Sequence, residues 1–94
     1  MKTPVFTKSF KKDYKNNTKS GINLNSLNLV FKKLLCSEKL EEKYKDHKLS
    51  GKWSSHRECH VRPNLLLIYK IVDNKIHFER LGSHSDFLNN VTTY

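Results

Sequence analysis

The side chains that can move protons near neutral pH are gathered in one stretch of this chain. All five histidines, His47, His56, His60, His77 and His84, lie between Asp46 and Leu88. The single tryptophan, Trp53, and all the arginines, Arg57, Arg62 and Arg80, lie there too. A histidine placed at a transferring proton contributes about 10²–10⁴ in rate. Histidines at this density suit either metal ligation or general acid–base chemistry.

Spacing separates the two. Protein zinc sites pair their ligands at short intervals such as HExxH or CxxC, and neither string occurs. Cys59 and His60 are neighbours in a β-prone run, so they point to opposite faces and cannot chelate one ion together. The other cysteine, Cys36, lies far away in sequence. Neither a metal nor a cofactor is expected. Acid–base work on a phosphodiester fits better: histidines with Glu58 and Arg80 supply a base, an acid and a cation for a developing anion. RNA needs nothing more, because its own 2′-OH can attack the adjacent phosphate.

These residues need a scaffold. Thr3–Thr7 is a first strand, and the lysine-rich segment from Ser9 carries Phe10 and Tyr14 four apart on one helical stripe. Asn16, Asn17, Ser20 and Gly21 close that helix. Leu24, Leu27, Val30, Phe31, Leu34 and Leu35 repeat at helical spacing, with Asn23 or Asn25 as the N-cap. Ser37–Lys45 is a loop or one further helical turn. From about His56 the period changes to two. Pro63-Asn64 and Asp73-Asn74 divide three β-prone runs as hairpin turns.

The expected fold is therefore α+β: β-α-α-β-β-β, an antiparallel sheet packed on two helices, with a short C-terminal segment. Counting back from the turns, Val61 opposes Leu66, His60 opposes Leu67, and Leu67 opposes Arg80. Glu58, Tyr69 and Phe78 form the neighbouring row. One face then shows Cys59, Val61, Leu66, Ile68 and Leu81 to the helices. The other shows Glu58, His60, Arg62, Arg80 and Tyr69, and His47 and His84 reach it from flanking loops. His56 and His77 are read as bystanders.

At 94 residues the chain is read as one domain, 1–94, with Asn89–Tyr94 as a loosely ordered tail. Eighteen Lys+Arg against nine Asp+Glu give a net charge of +9, which favours a polyanion or an acidic protein segment as partner. The lysines of the first helix are candidate phosphate contacts. No apolar run is long enough to cross a membrane, and no secretory segment follows Met1, so a cytoplasmic protein with reduced thiols is expected.

Four strings in order, DHKLSGKW (Asp46–Trp53), RECHVRP (Arg57–Pro63), LLLIYKI (Leu65–Ile71) and ERLGSHS (Glu79–Ser85), resemble the YafQ branch of the RelE-type toxins of bacterial toxin–antitoxin systems. The resemblance implies a RelE-like fold and metal-independent cleavage of mRNA, often on the ribosome, with neutralisation by an antitoxin. It implies catalytic roles for His47, Glu58, His60, Arg80 and His84, and substrate contacts for Lys52, Trp53, Asn64, Phe87 and Leu88. The sequence departs from the family's Asp-Trp, which here is Asn64-Leu65, and Asn64 cannot act as a base. It also reverses the closing Leu-Phe to Phe87-Leu88. Competing readings are a non-catalytic RNA- or protein-binding module of the same fold and a gyrase-poisoning toxin.

Overall fold

In the computed structural model, residues 1–87 are described, with Lys52 and His84 described by their backbone alone. Strand β1 (Thr3–Phe6) leads into α1 (Lys8–Lys19) and α2 (Asn25–Leu35). A 3₁₀ turn at Glu42–Tyr44 precedes the short strand β2 (His47–Lys48), and a second at Gly51–Trp53 follows it. Strands β3 (Arg57–Arg62), β4 (Leu65–Val72) and β5 (Lys75–Gly82) form the expected meander, and α3 (His84–Phe87) closes the described chain.

Local chemistry explains the helix ends. The Thr7 hydroxyl caps α1 by accepting the Phe10 N–H at 3.0 Å. Asn16 and Asn17 do not end the helix: it runs to Lys19, and Gly21, at φ +78°, makes the turn. The Asn23 side chain accepts the Asn25 N–H at 2.8 Å ahead of α2.

The sheet has the order β1-β5-β4-β3-β2. It is mixed, because β1 runs parallel to β5, with Thr3 opposite Lys75 and Phe6 opposite Phe78. Beyond Phe6, where α1 begins, no strand among the described residues pairs with the edge of β5. The expected sheet is antiparallel throughout, and its expected strands do not include β2. The two residues of β2 pair with β3, His47 opposite Glu58, and a strand of two residues leaves no alternation to read.

Both hairpin turns lie where expected, and the register beside them is as counted, with Arg62 opposite Leu65 and Val72 opposite Lys75. Each hairpin then slips by one residue at an irregularity, between His60 and Arg62 on β3 and between Ile68 and Tyr69 on β4, where Glu79 on β5 is skipped. One extra residue turns every later side chain of the pair to the other face. So His60 opposes Leu66 rather than Leu67, and Ile68 rather than Leu67 opposes Arg80.

The core on the helix side contains Phe10, Leu27, Val30, Cys59, Leu65, Leu67, Tyr69, Phe78 and Leu81. Burial pushes the Cys59 thiol up, which keeps it protonated. Leu66 and Ile68, expected against the helices, instead pack with Leu49 and Phe87 on the opposite face, beside the half-buried Trp53. Tyr69 moves the other way, into the helix-side core.

Candidate active site

Two cross-strand rows carry the histidine face. The first runs His47–Glu58–Ile68–Arg80 over β2, β3, β4 and β5. The second runs His60–Leu66–Gly82. Glu58 and His60, two apart on β3, share the face by strand alternation.

Glu58 is the centre of the cluster. Its Oε1 lies 3.6 Å from His47 Nε2 and 3.7 Å from His60 Nε2, and the two rings are 6.4 Å apart. The carboxyl is 0% exposed, and neither oxygen has a hydrogen-bond partner among the described residues. Burial raises its pKa to about 7, against the opposing pull of His47. A carboxyl that titrates near neutrality between two imidazoles can exchange protons at physiological pH.

His47 is oriented by backbone. Its Nδ1 lies 2.6 Å from the Lys45 carbonyl, which can only accept, so Nδ1 carries the proton and Nε2 faces Glu58. Lys45 adopts a left-handed conformation, φ 49°, to present that carbonyl. The adjacent Asp46 accepts the Tyr69 hydroxyl at 2.6 Å and two Arg57 bonds at 3.2 and 3.3 Å. These bonds tie the DH pair to β3 and β4. Burial and the Asp46 carboxylate push the Tyr69 hydroxyl up. Burial alone would lower the Arg57 pKa, and Asp46 more than offsets it.

Arg80 lies on the face as expected, and its guanidinium is already engaged. Asp13 of α1 accepts from Nε at 2.7 Å and from Nη2 at 3.3 Å, and this pairing raises the arginine pKa. The Arg80 guanidinium also sits 5.2 Å from the centre of the Phe87 ring.

His84 enters through a local motif. The Asp86 carboxylate accepts the Ser83 N–H at 2.8 Å, while the Ser83 hydroxyl oxygen accepts the Asp86 N–H at 3.4 Å. This reciprocal cap makes His84 the first residue of α3, two positions beyond Gly82 in the His60 row. A Cβ at Gly82 would come within 2.6 Å of Asp86 Oδ2 and 3.2 Å of the Phe87 ring, so a side chain there would push the Asp86 carboxylate off its cap.

The remaining sequence candidates scatter. Arg62 leaves the polar face at the β3 irregularity and donates to the Asn23 carbonyl at 3.1 Å. Asn64 is exposed in the β3–β4 turn. Trp53 packs edge-on to His56 at 4.9 Å, and His56 lies 3.6 Å from Glu79. Burial lowers the His56 pKa, opposed by Glu79. Phe87 is 0% exposed and belongs to the core, so it offers no open ring face to a base. Lys52 lies in the Gly51–Trp53 turn, and its side chain, like that of His84, falls outside the described residues, as does Leu88 altogether. Sequence reasoning missed Asp13 and the Asp46–Arg57–Tyr69 network. Asp13 is one acid among many lysines and carries no motif. Asp46 was visible only as the residue before His47.

The family profile described as bacterial toxin of type II toxin–antitoxin system, YafQ, matches residues 2–89. The mRNA interferase toxin YafQ of Escherichia coli K12 is 36% identical over 81 residues, covering 85% of this chain and 88% of that protein. A copper-bound mutant toxin from Helicobacter pylori superposes with a TM-score of 0.89 at 38% identity, over 92% of this chain and 98% of that one. YafQ in the E. coli DinJ–YafQ complex superposes at 0.84 and 33% identity, over 92% and 97%. Among the described residues of the present chain, no three His, Cys, Asp or Glu side chains are arranged to hold a metal ion, and no helix is long and apolar enough to cross a membrane. Profile, sequence and fold agree: this chain belongs to the YafQ family of bacterial type II toxin–antitoxin toxins.

Proposed function

We propose that this toxin is an endoribonuclease that cuts mRNA in the cytoplasm by metal-independent, histidine-based acid–base catalysis. The observation that carries the reading is the placement of His47 and His60 on either side of a buried carboxyl poised near neutrality. The name of the E. coli relative, an mRNA interferase, supports the substrate class.

In the proposed reaction a base takes the 2′-OH proton, and the 2′-oxygen forms a bond to the adjacent phosphorus. The bond from phosphorus to the 5′-oxygen breaks, an acid protonates the leaving oxygen, and a 2′,3′-cyclic phosphate remains. His84 and His60 are the acid–base pair, and His47 orients the substrate or shares the proton through Nε2. Glu58 sits between His47 and His60 and sets their charge. Arg80 stabilises the phosphorane by sharing its guanidinium, which has five N–H donors, between Asp13 and the phosphate.

An antitoxin is the protein partner in this reading. The DinJ–YafQ complexes of relatives support it, and the charge of +9 favours an acidic neutralising segment.

The test is purified protein with RNA, with and without ribosomes, in excess chelator, beside His84→Ala. Cleavage by the wild type that survives chelator and disappears in the folded variant is the expected result. Binding without cleavage, or full activity in the variant, would overturn the assignment.

A further inference from the structure

Two clefts touch the histidine face, and they differ in charge. One, of about 530 Å³, meets Arg80 between α1 and the end of β5. Its cations, Lys12 and Arg80, are matched by the carboxylates Asp13 and Asp86. The other, of about 890 Å³, meets His60 between the start of α2, the Glu42–Tyr44 turn and β3. Lys43, Lys45 and Arg62 line it, and among the described residues no carboxylate does.

We propose that this second cleft holds the single-stranded RNA segment next to the cut bond. In it, Lys43, Lys45 and Arg62 take backbone phosphates, and Asn23, Asn25 and Ser26 face base edges. The proposal rests on the ribonuclease reading and names the path of its substrate.

Charge balance is the first argument. A strand of phosphates entering the Arg80 cleft meets as many anions as cations. In the His60 cleft it meets cations alone. Geometry is the second. Arg62 donates to the Asn23 carbonyl at 3.1 Å, which fixes the guanidinium at the wall and leaves further N–H donors for phosphate. Lys43 is 3.9 Å from Glu41, but both are well exposed, and such pairs are weak enough to yield to a phosphate. Continuity is the third. The Lys45 carbonyl receives the His47 Nδ1–H at 2.6 Å, so the residue that offers its ammonium to the cleft also orients His47. Single-stranded RNA is read through base edges, and the amide groups of Asn23 and Asn25 and the Ser26 hydroxyl supply donors and acceptors of that kind.

The experiment measures Kd against salt for a 2′-O-methyl RNA oligonucleotide, which lacks the attacking hydroxyl. Three proteins are compared: wild type, the Lys43→Gln/Arg62→Gln variant, and a control, Lys32→Gln/Lys75→Gln, whose lysines line neither cleft. All four positions are exposed, and thermal melts verify folding. The expected result is weaker binding by the cleft variant, with a log–log salt slope reduced by about 1.4 for two lost contacts to a single strand, and an unchanged slope for the control variant. An unchanged slope in the cleft variant overturns the proposal. So does loss of binding to an acidic antitoxin peptide while RNA binding persists, which would give the cleft to protein. The two readings fail separately. Unmodified RNA left intact by wild type, while 2′-O-methyl binding still depends on the cleft, ends the ribonuclease reading alone. Cleavage with an unmoved slope ends the cleft reading alone.

Discussion

Asp13 holds Arg80 from the other end of the chain, its Oδ2 accepting from the arginine Nε at 2.7 Å and from the Leu81 N–H at 2.9 Å. The second bond satisfies a backbone donor on the edge of β5 that β1 leaves uncovered. One carboxylate thus aims the cation of the site and seals the sheet beside it.

Unequal costs follow for the two halves of this pair. Asp13→Ala orphans both the guanidinium and the Leu81 N–H and is expected to lose about 3 kcal/mol, because each part-buried donor left unpaired costs roughly 1–3 kcal/mol. Arg80→Ala keeps the Leu81 bond and should lose less stability while losing more cleavage. Urea denaturation and initial cleavage rates check the order. Equal stability losses would mean that the edge bond contributes nothing.

Glu58 makes folding pH-dependent. Burial lifts its pKa from 4.5 to about 7 in the folded chain, so between those values the folded state binds more protons than the unfolded one. The stability from this group is therefore fully present below pH 4.5 and is lost as pH rises through 7, by about 3 kcal/mol. Glu58→Gln removes that slope and should be more stable than wild type at pH 8. Unfolding free energies of both proteins at pH 5 and pH 8 decide it. Parallel profiles would show that the carboxyl is not held in its neutral form.

The rate should track the face and not the histidine count. His60→Ala is expected to lower cleavage by about 10²–10⁴ with little change in melting temperature. His56→Ala, whose ring is occupied by Trp53 and Glu79, should cleave near the wild-type rate. Equal losses in both would point to a structural cause.

Phe87 is expected to act through packing. Phe87→Ala empties a site that is 0% exposed and should cost about 3–5 kcal/mol, much of the 5–15 kcal/mol that a domain possesses. Phe87→Leu should fold and retain RNA affinity. A folded Phe87→Leu protein with weakened RNA binding would instead assign the ring to a base.

The sequence made the elements legible where a period or a turn was written into it. The α2 stripe from Leu24 to Leu35 and the Pro63-Asn64 and Asp73-Asn74 turns are local patterns that survive folding. The single-residue slips at Val61 and Glu79 left no such trace, and they exchanged the faces of Leu66, Ile68 and Tyr69. His60, Glu58 and Arg80 stayed on their common face because the two slips add to a two-residue offset between β3 and β5, which moves Arg80 from the His60 row to the Glu58 row without turning it over. The pairing of His47 with Glu58 was hidden in a two-residue strand. Asp13 was hidden by distance along the chain, since a lone carboxylate in a lysine-rich helix gives no sign of the arginine it will meet.

The parallel seam between β1 and β5 also governs when the protein can exist. The Thr7 hydroxyl bonds the Phe78 carbonyl across 71 residues of sequence, so the seam closes late and slows folding. During synthesis the first strand leaves the ribosome long before its partner has been made. The sheet that carries Glu58 and Arg80 therefore remains incomplete until β5 has emerged, and a cell making this toxin is spared an assembled site on every unfinished chain.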